Sequence, residues 1–240
     1  MIEFDPEQIR IIDWRLTAND IAAVIGPPGC GKTTVGGALA CNMITTRIAD
    51  RVLLTAYTNS ATDEFGRELC YLLGDKNASE VCVRTGNSNA ADQSLSIPFS
   101  NESEFIKTRK IVLCTLVSLA KLPQNITFDR VIVDEASINK IDHLLMPFQM
   151  SLRRESKASF VYNSAFIDKD YDLSNLQQQL NELMNFLSQC GIAATVVGDP
   201  KQSQPINLSS GKRSNDDYYN SFSAIDWIIK SASYDTLHIT

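Results

Sequence analysis

The segment Gly26-Pro27-Pro28-Gly29-Cys30-Gly31-Lys32-Thr33 constrains the fold more than any other part of the chain. Its pattern, G-x-x-x-x-G-K-T, demands a tight turn that aims successive backbone N–H groups at one point ahead of a helix. Such a turn needs a strand to deliver the chain and a helix to carry it away. Both flanks comply. Ile21–Ile25 (IAAVI) is a short apolar run of strand type, and Thr33–Ile48 is glycine- and alanine-rich and reads as a helix. A cradle of this kind takes the phosphates of a nucleoside triphosphate. Gly26, Pro27, Pro28, Gly29, Cys30 and Gly31 form the loop, Lys32 reaches the β- and γ-phosphates, the Thr33 hydroxyl can bind Mg²⁺, and Thr34 continues the site into the helix.

Strand signals recur along the chain at Val52–Thr55, Val81–Arg84, Ile111–Cys114, Val131–Asp134 and Ala194–Val197. Helical signals fall between several of them, at Ala61–Leu73 and Ile141–Met150, with a further amphipathic stretch at Ser174–Gln189. At the N-terminus Asp5 is a good N-cap, Pro6 suits the first helical position and Gln8 sits where a capping-box partner belongs, so a helix over about Pro6–Trp14 is expected. Short, β-branched, non-alternating strands separated by helices predict an α/β fold: a mainly parallel sheet with helices on both faces. Two stretches interrupt the rhythm. Residues 85–107 are polar and rich in serine and asparagine, as in a surface loop, and 151–172 reads as an insertion with a basic trio (Arg153, Arg154, Lys157) and an aromatic-rich run.

A second piece of the site is Val131-Ile132-Val133-Asp134-Glu135-Ala136-Ser137. An apolar strand ending in adjacent carboxylates delivers them to the ligand crevice of an open α/β sheet. Asp134 is placed to hold Mg²⁺, directly or through water, and Glu135 to orient and deprotonate an attacking water. A third strand-then-loop segment, Val196 to Pro205 (VVGDPKQSQP), offers Gln202 as a hydrogen-bonding partner for a γ-phosphate or for that water.

Composition limits the remaining possibilities. The 240 residues are 44% hydrophobic, enough for one substantial core. The formal net charge is −6, so any nucleic-acid contact must be local rather than a general electrostatic one. Six cysteines are spread without a C-x-x-C, and with only His143 and His238 available no zinc-ligand spacing exists. Buried free thiols in a reducing, intracellular compartment are the expectation. No signal peptide or apolar run of membrane-spanning length is present in the sequence.

Taken in order, these segments resemble the first RecA-like motor domain of a superfamily 1 helicase. The phosphate loop is similar to motif I, VIVDEAS to motif II and GDPKQSQP to motif III. Leu54–Glu64 (LTAYTNSATDE) resembles motif Ia, Phe4–Gln8 the Q-motif, and Cys114–Ser118 (CTLVS) the threonine-containing segment that touches strand phosphates. The resemblance implies ATP and Mg²⁺ as cofactors, with Gln8 reading adenine, Lys32 and Glu135 catalytic, Thr33 and Asp134 at the metal and Gln202 sensing the γ-phosphate. It implies single-stranded nucleic acid as partner, touched by Thr58, Asn59 and Thr115, with Tyr57 either stacking on a base or packing internally. Family members carry a second RecA-like domain after motif III, and no motif IV, V or VI follows here; that half is expected in cis or from another chain. Two other readings stand beside this one. A P-loop ATPase with a different task explains motifs I and II but not AYTNSATDE or Gln8, and a module that binds nucleotide and strand without appreciable turnover would suit an isolated domain.

Overall fold

The computed structural model describes residues 3–123, 125–138, 141–151, 191–202, 223–230 and 236–239. The basic trio at 153–157, the expected helix 174–189 and residues 203–205 of the third motif lie outside the described residues.

The capping box forms as the sequence requires: Oδ1 of Asp5 accepts from the Gln8 N–H at 2.8 Å, and Oε1 of Gln8 accepts from the Asp5 N–H at 3.1 Å. Helix α1 (Pro6–Thr17) starts there and runs a turn further than the sequence suggests. Strand β1 (Ile21–Ile25) then feeds the phosphate loop, and α2 (Lys32–Thr45) leaves it. After β2 (Val52–Ala56), helix α3 (Asn59–Leu73) begins two residues earlier than the apolar spacing indicates. The reason is Thr58, whose hydroxyl oxygen accepts from the Ala61 N–H at 3.1 Å and caps the helix. A short α4 (Asp75–Val81) precedes β3 (Cys82–Arg84), so Val81 closes a helix instead of opening the strand.

The stretch 85–107 is more ordered than a polar loop. Phe99 bridges Arg84 in parallel, Ile97 is buried, and Ser103–Lys107 forms α5 around the buried Ile106. Strand β4 (Ile111–Thr115) passes into a 3₁₀ turn at Leu116–Lys121. Strand β5 (Arg130–Val133) is followed by a 3₁₀ turn at Ala136–Ile138 and by α6 (Ile141–Ser151), which contains Pro147. Strand β6 (Ala194–Gly198), α7 (Ala224–Lys230) and β7 (Thr236–His238) complete the described elements.

All seven strands are parallel, in the order β3-β4-β2-β5-β6-β1-β7. Strands β1, β2, β4 and β6 are buried along their whole lengths, because alternate residues feed two separate cores. On one face Val24, Leu54, Leu113 and Ile132 pack with Ile11 of α1, Val35 and Leu39 of α2 and Phe65 and Leu69 of α3. On the other, Ala23, Leu53, Val112 and Val131 pack with Leu116, Leu119, Leu144, Phe148, Ile225 and Ile228. The buried Arg15 ties α1 to the strand starts, donating to Oγ1 of Thr195 at 3.0 Å and to the Ala194 carbonyl at 2.9 Å. Among the described residues no helix is long and apolar enough to cross a membrane.

Candidate nucleotide and strand site

The sheet gathers the singled-out segments because every strand points the same way. The loops after β1, β2, β4, β5 and β6 therefore emerge along one edge, at the C-terminal ends of neighbouring strands. Here the chain turns from Ile25 into the phosphate loop, with Gly29 and Gly31 in left-handed conformations at φ 79° and 83°. A side chain on Gly31 would also meet Nε2 of Gln8 at 2.7 Å. That amide donates to the Cys30 carbonyl at 3.1 Å, so Gln8 braces the loop as well as closing its capping box. The Lys32 ammonium lies back over the cradle, donating to the carbonyls of Gly26 at 2.8 Å and Pro27 at 2.7 Å. Pro27, Pro28 and Gly29 are exposed on the loop's crest, with Cys30 and Gly31 half-buried behind it. Thr34 faces α3, donating to Oε1 of Glu68 at 2.9 Å.

The two segments expected to hold phosphate and metal meet directly. The Thr33 hydroxyl donates to Oδ2 of Asp134 at 2.8 Å, joining positions 101 residues apart. Burial pushes the Asp134 carboxyl above its usual range, against the bonds from Thr33 and from the Glu135 N–H that favour its charged form. A desolvated carboxylate beside a threonine hydroxyl is an oxygen donor set suited to a hard divalent cation that takes its other ligands from phosphates and water. Among the described residues no group of three or more His, Cys, Asp or Glu side chains could hold a metal ion by itself.

Glu135 is held at both backbone and side chain. Its backbone is left-handed at φ 55°, its N–H donates to Oδ1 of Asp134 at 2.7 Å, and its Oε2 accepts from Thr58 twice. The Thr58 hydroxyl lies at 2.9 Å and the Thr58 N–H at 3.3 Å. Partial burial raises the Glu135 pKa, the Thr58 bonds lower it, and the neighbouring Asp134 charge raises it again. Gln202 is exposed four residues beyond β6, its N–H donating to the Asp199 carbonyl at 3.0 Å.

The residues expected at a strand divide into several kinds. Tyr57 is 43% exposed and its ring stacks on His143 of α6 at 6.1 Å, so it is neither buried nor wholly free. Thr58 spends both its donors on Glu135. Thr115 is buried, its hydroxyl paired with Ser118 at 2.9 Å, while the nearby Val117 is an exposed apolar side chain of that turn. Asn59 is fixed by a group that the motif reading did not single out. The buried Arg84 donates to Oδ1 of Asn59 at 2.9 Å, to Oδ1 of the buried Asp63 at 2.8 Å and to the Thr85 carbonyl at 2.5 Å. Asn101 completes this corner through Thr85 and Gly86. A signal existed in the sequence: an arginine closing an apolar strand run (VCVR), with Asn59 and Asp63 four apart on one helix face.

The AAA domain family profile matches residues 3–100. No curated protein sequence matches the chain. Similar solved structures include the Pif1 helicase from Candida albicans, at 14% identity and TM-score 0.43, covering all of this chain and 40% of that one. The UvsW helicase from bacteriophage T4 gives 12% and 0.45, covering 92% and 59%, and a Sulfolobus solfataricus SWI2/SNF2 ATPase core in complex with dsDNA gives 12% and 0.44, covering 84% and 32%. The chain thus spans less than two thirds of each of those proteins. The phosphate loop after β1, the β5 carboxylates beside it and the all-parallel sheet give an α/β domain, and the part of the chain that carries the loop is similar to the AAA domain family.

Proposed function

We propose that the chain binds and hydrolyses ATP as the first motor domain of a nucleic-acid helicase or translocase, completed by a second RecA-like domain. The observation that carries this reading is the junction of Thr33, Asp134, Glu135 and Thr58 through hydrogen bonds of 2.7–3.3 Å. It links the phosphate loop, the acidic strand end and the motif Ia segment in one continuous group. In this reading the loop N–H groups and Lys32 hold the β- and γ-phosphates, Gln8 lies beside the base, and Thr33 and Asp134 hold Mg²⁺. The cation would neutralise charge on the phosphate oxygens. Glu135 orients and deprotonates the water, and Gln202 contacts the γ-phosphate or that water. Tyr57, Thr58 and Asn59 meet a single strand beside them, with the Thr115 turn adjacent.

Turnover by this domain alone is expected to be slow, since charge developing on the γ-phosphate lacks an arginine from the second domain, a group worth ~10³–10⁵ in rate in related phosphoryl-transfer enzymes. The test is ATP hydrolysis by the chain with and without single-stranded nucleic acid, repeated after the second motor domain is supplied in cis or in trans. A steep rise with both additions supports the reading. A rate that neither the strand nor the second domain changes overturns the motor assignment.

A further inference from the structure

Arg84 closes β3 with its guanidinium buried and its donors spread over three acceptors. Nε donates to Oδ1 of Asp63 at 2.8 Å, Nη1 to the Thr85 carbonyl at 2.5 Å and Nη2 to Oδ1 of Asn59 at 2.9 Å. The buried Asp63 is pinned in turn, its Oδ2 accepting from the Asp92 N–H at 3.0 Å. A guanidinium can only donate, so the half-buried Asn59 amide must face it with oxygen and carry its Nδ2 donor on the other side. That Nδ2 has no acceptor among the described residues and is not sealed from solvent. Asn59 opens α3 directly after β2, and the residues after Arg84 lean on the turn that follows β4: a Cβ on Gly86 would lie 2.6 Å from Oγ of Ser118. The guanidinium thus fixes a side chain at the sheet edge that carries the motif Ia segment and the Thr115 turn, without reaching the surface itself.

Resting on the strand-binding reading above, we propose that Arg84 is a positioning residue for nucleic-acid binding, holding Asn59 with its amide N–H group presented to a backbone phosphate. A phosphate oxygen accepts and does not donate, so only one of the two amide orientations binds it; the flipped amide sets oxygen against oxygen. An asparagine free to flip is competent only while its nitrogen faces the strand, and its apparent affinity falls by that fraction. Arg84 removes this loss before the strand arrives. Its own charge plays no part in the contact, since the Asp63 carboxylate neutralises it at 2.8 Å. A neutral, pre-oriented donor suits a chain of net charge −6, which has no general electrostatic attraction for a polyanion.

The experiment is a fluorescence-anisotropy titration of the full 240-residue chain with a labelled single-stranded oligonucleotide at low salt, with a melting curve for each variant. Asn59→Asp keeps an oxygen on Arg84 but turns a second, anionic oxygen to the strand. It is expected to melt no lower than the wild type and to bind at least about tenfold more weakly, a larger loss than the roughly three- to tenfold of Asn59→Ala. Arg84→Lys keeps the charge beside Asp63 without the fork that pins the amide. It is expected to weaken binding roughly two- to fivefold, and to cause no further loss in an Asn59→Ala background. A purely structural arginine would weaken both backgrounds alike. Wild-type affinity in Asn59→Asp, or an Arg84→Lys effect that is absent or persists undiminished without the Asn59 amide, overturns the positioning role. No binding by the wild type overturns the strand reading instead, and this inference falls with it.

Discussion

Replacing Arg84 by methionine should be among the most destabilising single changes at the site edge. The substitution keeps much of the side-chain volume but removes the bonds to Asp63, Asn59 and Thr85 and leaves the Asp63 carboxylate buried without its cation. Breaking a buried ion pair from one side costs about 3–5 kcal/mol. For a domain of this size each kcal/mol moves the melting temperature by about 2–4 °C, so a fall of about 6–20 °C is expected. Differential scanning calorimetry or a circular-dichroism melt reads it directly. The companion variant Arg84→Met/Asp63→Leu replaces the whole pair with apolar groups and should recover at least half of the loss, because the stranded charge is gone. A single-variant drop of less than about 2 °C, or a double variant no more stable than the single, would falsify the account. Arg84→Lys keeps the charge opposite Asp63 but loses the planar fork, so it should melt closer to wild type while letting the Asn59 amide swing.

Three further outcomes follow from the same geometry. ATP or ADP with Mg²⁺ should raise the melting temperature, by the equivalent of about 2.7 kcal/mol at a hundredfold excess over Kd, and Lys32→Ala should abolish the shift; no shift for wild type at millimolar nucleotide would remove the nucleotide site. Glu135→Gln should retain that thermal shift and lose residual hydrolysis in a phosphate-release assay; unchanged turnover would dismiss Glu135 as the base. Burial pushes the Cys41 and Cys114 thiols up to about 12, and Cys82 is raised for the same reason, so all three should resist alkylation at pH 8 in the folded protein. Because their folded pKa values exceed the unfolded one near 9, the stability they contribute is complete below pH 9 and falls as pH climbs from 9 towards 12; pH-dependent melts that stay flat over that window would contradict their burial.

Much of this protein was legible as text because its signals are local. A glycine pattern that forces a left-handed turn, an Asp5–Gln8 pair spaced for a capping box and apolar runs of strand length all act within a few residues of chain. Those local rules carried the parallel sheet, the phosphate loop and the strand that ends in Asp134. Element edges were less legible, since they depend on which donor caps which helix: Thr58 moved the start of α3, and α4 claimed Val81. The long-range partners of polar side chains were the least legible part. Nothing local says that the Thr58 hydroxyl turns to a carboxylate 77 residues away or that Arg84 holds Asn59. Those bonds exist because parallel pairing sets Ala56 level with Thr115 and places β5 beside β2. Strand order is a long-range property, fixed by how two apolar faces are covered at once, and only the folded sheet decides which strand ends become neighbours.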